Sequence, residues 1–133
     1  MTSSSRRASA LLSTPGVAAL VDALLIVAFV AMGRSSHDED GSASDLFVIA
    51  APFLIAAAVG WLLARGWNQP ISLRTGTIIW LVTAALGLVL RNLVFDRGTA
   101  TAFVIVTTAM LCLFLQGWRL AARQLAARAP RTP

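Results

Sequence analysis

The chain has 133 residues, of which 57% are hydrophobic and only 13% charged, and eleven basic against six acidic residues give it a formal net charge of +5. A soluble domain carries about 25% charged residues, and a chain this short has too little interior to hide so much apolar material from water. An ordinary soluble globule is therefore excluded, and a single domain in a bilayer is expected.

Residues 1–14 are polar and rich in serine and arginine, a composition that predicts a disordered tail. Ser13, Thr14 and Pro15 then form a helix-start signal, an N-cap followed by proline in the first turn. Four apolar runs follow, at residues 16–32, 46–64, 75–95 and 100–118. Each is close to the roughly 20 residues that cross about 30 Å of hydrocarbon. Helix is the state that pairs every backbone group in lipid. The expected fold is an all-α integral membrane protein, a four-transmembrane-helix bundle over residues 15–118. Residues 119–133 form a basic tail that extends the last helix along the membrane surface. The first run is read as a retained span and not a cleaved signal, because Asp22 interrupts it and no small-x-small cleavage site follows.

All eleven basic residues are arginine, placed at the ends of apolar runs and not along one face, which argues against nucleic-acid binding. With four spans, both termini and the middle loop share one side. That side holds Arg6, Arg7, Arg65, Arg74, Arg119, Arg123, Arg128 and Arg131, and the other only Arg34, Arg91 and Arg97. The bias predicts a plasma-membrane protein with cytoplasmic termini, and it puts the acidic stretch at 33–45 outside.

Sliding the chain by 57 residues superposes Arg34 on Arg91, Glu39 on Asp96, Gly41 on Gly98, Ala43 on Ala100 and Gly60-Trp61 on Gly117-Trp118. This register predicts two tandem helical hairpins related by an axis along the membrane normal. Each outer loop then pairs an arginine at a helix end with an acid five residues on, and opens the next helix with good N-cap residues. Ala56 and Gly60 form a small-xxx-small pair suited to close helix contact, and Asn92, Gln116 and Thr107-Thr108 could bond between helices. Trp61, Trp67 and Trp118 stand where an interfacial belt is expected.

The polar residues left for chemistry are few. The candidate functional cluster is Arg34, His37, Glu39, Arg91 and Asp96 at the outer mouth, where His37 could titrate near neutral pH. Asp22 is the candidate intramembrane carboxylate: either a proton or cation site, or the partner of an arginine near the interface. No metal site is expected, since His37 and its neighbouring acids match neither zinc spacing nor the calcium loop, where Ala43 stands in place of glycine. Cys112 is alone among leucines and reads as a small buried residue. No catalytic motif and no cofactor site is recognised, and no enzymatic role is expected.

The stretch "GRSSHDE" carries a resemblance. Gly33, Arg34, Ser36, His37 and Glu39 fit, position by position, a G-R-x-S-H-x-E pattern of the domain of unknown function 3054 family, small prokaryotic membrane proteins common in actinobacteria. The "GW" ending the second span, Arg65, Trp67 and Pro70, "RGTAT" and the closing "GWR" fit as well, so the resemblance covers roughly residues 20–120. It implies a multi-pass membrane protein and supplies no activity. The function expected first is a small transporter or ion-conducting protein of unknown substrate, for which a homodimer is one expected assembly. The alternatives are a non-catalytic scaffold that binds a partner through its outer acidic loop and, more weakly, a membrane enzyme acting on lipid or envelope precursors.

Overall fold

The structure is a computed structural model that describes residues 3–36, 43–93 and 101–128. These form five helices: α1 (Ser3–Leu12), α2 (Pro15–Ser36), α3 (Ala43–Ala64), α4 (Leu73–Leu93) and α5 (Thr101–Arg128). Among the described residues there is no strand. Four segments are long and apolar enough to cross a membrane: Pro15–Gly33, Leu46–Ala64, Leu73–Leu93 and Thr101–Arg128. They coincide with the four apolar runs, and the all-α four-helix bundle stands as expected.

The helices pack in cyclic order, α2 on α3, α3 on α4, α4 on α5 and α5 back on α2, while the diagonal pairs do not meet among the described residues. The interior is a column of Ile26, Phe29, Phe53, Ile79, Leu111 and Leu115, all buried, with Phe29 and Phe53 edge to face at 6.4 Å. The outside is apolar too: Leu24, Phe47, Leu62, Ile105 and Leu113 are each about half exposed or more. Helices that are apolar all round suit a bundle whose outer face meets lipid and not water.

The α3–α4 pair is the tightest, and small residues set its spacing. A Cβ added at Gly60 would stand 3.0 Å from Ile79 Cα, and one at Gly87 only 2.5 Å from the Phe53 ring. Close approach of this kind is what drives helix association where no hydrophobic effect operates between helices. The expected packing role of Ala56 and Gly60 is met, with Ala56 fully buried.

The connection between α3 and α4 is a Schellman turn. Gly66 N–H donates to Trp61 C=O (3.0 Å) and Arg65 N–H to Leu62 C=O (3.3 Å). The residue in the left-handed region is Arg65, with φ 49°, a position glycine usually takes. Glycine stands at 66 instead because the Trp61 indole fills the space where a Cβ would go, 2.2 Å from its Cε3. Helix α4 then starts on a cap, with Arg74 N–H donating to Ser72 Oγ (3.2 Å).

The two ends of the chain join the fold as well. In the N-terminal segment Ser3–Leu12 is helical and lies against α5 and α2. Its composition is polar, but the bundle gives it a surface to pack on, which an isolated ten-residue helix lacks. At the other end the last helix continues past residue 118. Helix α5 runs unbroken to Arg128, and Arg119 and Ala122 are fully buried inside the fold.

Candidate functional site

Asp22 sits seven residues into α2, about 10 Å along its axis at 1.5 Å per residue. Its side chain is 1% exposed and pairs with Arg119, which is 0% exposed. The pair is bidentate: Arg119 Nη1 donates to Asp22 Oδ1 at 2.9 Å, and Nη2 to Oδ2 at 2.7 Å. Two indoles complete the carboxylate. Trp118 Nε1 donates to Oδ1 at 2.7 Å and Trp61 Nε1 to Oδ2 at 2.9 Å. A carboxylate has about four lone-pair positions, and all four are taken.

Arg119 commits four of its five N–H donors in turn. Its Nε donates to Pro70 C=O (2.9 Å) in the α3–α4 connection, and Nη1 also reaches Leu115 C=O (2.9 Å) one turn back on α5. Its guanidinium lies 4.7 Å from the centre of the Trp118 ring. Helix α4 makes room: a Cβ on Gly76 would stand 2.1 Å from Gln116 Oε1 and 2.7 Å from Arg119 Cδ. Beside it, Gln116 Nε2 clasps α4 through Thr77 Oγ1 (2.7 Å) and Leu73 C=O (3.2 Å). One carboxylate thus ties α2, α3, α5 and the α3–α4 connection at the end of the bundle where the arginines gather.

A second polar feature runs along the α4–α5 contact. Trp80 Nε1 donates to Thr108 C=O (2.9 Å), which fixes the register of the two helices. Thr83 and Thr107 are fully buried near the same level, and the hydroxyls of both, with Gln116 Oε1, have no hydrogen-bond partner among the described residues. A buried polar atom left so costs about 1–3 kcal/mol, so this seam is where water or a polar ligand is most favoured inside the bundle.

The sequence-predicted cluster is only partly described. His37, Glu39 and Asp96 lie outside the described residues, as does the side chain of Arg34, whose backbone closes α2. Arg91 stacks its guanidinium 3.9 Å over the Phe103 ring, linking α4 to α5. Among the described residues no group of three or more His, Cys, Asp or Glu side chains comes together. Cys112 is a half-buried free thiol.

Asp22 is paired with an arginine, and that arginine is the buried Arg119 and not one at the surface. Arg119 is drawn out of the expected solvent-side tail, because the α5 helix places it level with Asp22 and burial demands that both charges be matched. Trp61 and Trp118 each spend their N–H on Asp22, while Trp67 is about half exposed. One sequence signal could have revealed this: an acid in an apolar span needs donors, and "GW" and "GWR" end the second and fourth spans at the matching depth.

Four apolar spans latched by an internal ion pair define a multi-pass α-helical membrane protein. The family described as a protein of unknown function (DUF3054) matches residues 19–122, and the chain belongs to it. That match begins just before Asp22 and ends just after Arg119, so it encloses the whole latch. No curated protein and no solved structure gives a significant match.

Proposed function

We propose that this protein is a small transporter or ion-conducting protein of the cell membrane, closed at its arginine-rich end by the Asp22–Arg119 pair. The observation that carries the reading is the burial of that pair within an apolar bundle. Replacing a buried ion pair with apolar residues is often neutral or stabilising, so packing alone gives no reason to place charges here, whereas a charged latch can be opened by protons or by a competing ion. The seam of Thr83, Thr107 and Gln116 supports it by offering polar partners at intermediate depth. Arginine bias supports cytoplasmic termini, which makes the latch the inner gate.

The tandem-hairpin arrangement belongs to the same proposal. Trp61 and Trp118 are 57 residues apart and reach the same carboxylate from α3 and α5. This supports a duplication in which one central acid serves both copies, the equivalent position in α4 being the buried Ile79.

The test is flux into proteoliposomes. With a potassium diffusion potential imposed and an internal pH dye, wild-type vesicles are expected to acidify faster than empty ones, and Asp22→Asn and Arg119→Gln to change that rate. A wild-type rate equal to that of empty vesicles, for protons and for a panel of inorganic ions, overturns the proposal.

A further inference from the structure

Between α2 and α3 the outer face of the bundle opens into a groove of about 500 Å³, lined by Ala23, Ala57, Ala58, Asp22, Trp61 and Trp67 among others. The alanines on both helices leave a furrow that larger side chains would fill. The volume lies in the range of sites that hold small molecules, about 300–1,000 Å³, and its position along two spans turns it toward hydrocarbon.

We propose that this groove is a lipid site that takes one acyl chain of an anionic phospholipid. Two observations select that occupant. The first concerns the buried part. Asp22 and Trp61 are the polar side chains at the floor, and each is already spoken for: the carboxylate accepts four hydrogen bonds, one of them from the Trp61 indole. The groove therefore offers a ligand no hydrogen-bonding partner at its floor, and its occupant there is apolar.

The second concerns the mouth. Trp67 lies half exposed at the arginine-rich end, two residues beyond the exposed Arg65. Among the described residues this end exposes Arg7, Arg65, Arg74, Arg123 and Arg128, and its one carboxylate, Asp22, is buried and matched. An indole beside an exposed arginine at the membrane interface suits an anionic headgroup, and the furrow leads inward from it. A chain lodged there covers the Asp22 face of the latch with hydrocarbon and keeps water from it. The inference stands on the groove and its charges, and it does not require that the protein transports anything.

The experiment is native mass spectrometry of the delipidated protein, titrated with phosphatidylglycerol and phosphatidylcholine of identical acyl chains. One bound phosphatidylglycerol is expected, preferred about fivefold, the effect of one arginine beside an anionic surface. Ala58→Trp, at an exposed position that spares the interior, fills the furrow and is expected to remove the tight adduct. Arg65→Gln is expected to keep it and lose the preference. As a readout independent of any variant's folding in the gas phase, brominated phosphatidylglycerol in vesicles should quench wild-type fluorescence more than brominated phosphatidylcholine, a difference lost in Trp67→Phe. Equal adducts for both lipids in wild type, or an undiminished adduct in Ala58→Trp, overturns the proposal. So does a wild-type dimer that Ala58→Trp splits, since a second copy would then be the occupant.

Discussion

Removing Asp22 alone should be far more damaging than removing Asp22 and Arg119 together. In Asp22→Leu the guanidinium keeps its bonds to Pro70 and Leu115 but loses both carboxylate contacts, and the indole N–H groups of Trp61 and Trp118 lose their acceptor. Breaking one side of a buried pair costs about 3–5 kcal/mol, two to about three and a half decades in the folding constant at 1.4 kcal/mol per decade. Asp22→Leu/Arg119→Met replaces both charges with apolar groups and strands the two indoles and the Pro70 carbonyl. Interhelical hydrogen bonds in membranes are worth about 0.6 kcal/mol each and at most about 2, so the double variant should lose only about 1–3 kcal/mol. The half-buried Cys112 supplies the assay: a thiol-reactive fluorophore reports unfolding in detergent as temperature rises, and steric trapping in bicelles gives the free energy. A double variant as unstable as the sum of the two single ones would refute the claim that the two charges are held chiefly by each other.

Four further outcomes follow from the same geometry. Gly66→Ala drives a Cβ into the Trp61 ring and should shift the indole off Asp22, lowering thermal stability and moving tryptophan emission, while Ala at the open Gly117 should do neither. Arg65→Gly relieves the left-handed backbone at φ 49° and should stabilise the fold by about 0.5–1 kcal/mol in the same trapping assay. Gly76→Leu cannot share space with Gln116 and Arg119 and should cost as much as losing the pair itself, measured by thiol-reactive unfolding. Thr83→Val and Thr107→Val remove hydroxyls that have no partner among the described residues, so stability should hold or rise slightly, whereas flux in proteoliposomes should fall; unchanged flux would remove the seam from the proposed path.

What the sequence could and could not reveal divides along a physical line. The spans were legible because the number of apolar residues needed to cross hydrocarbon is fixed by helix rise, and that is local information. The small-residue contact at Gly60 was legible for the same reason. The tie between Asp22 and Arg119 is not local: 97 positions separate them, and eleven arginines compete for one acid's attention in a list of letters. Counting arginines to orient the spans even worked against finding it, because the count treats each as a solvated charge at the rim. Only the packing of α5 against α2 and α4 decides that this one arginine turns inward. The absent Cβ of Gly76 decides it as much as any attraction, since a side chain there would occupy the place of Arg119 Cδ. The tryptophans follow from the same step. An indole at a span end is free to anchor in the interface only if nothing nearby needs its N–H, and a buried carboxylate with two unfilled positions needs two. The site is thus a consequence of one charge placed in an apolar helix and of the donors that must converge to keep it there.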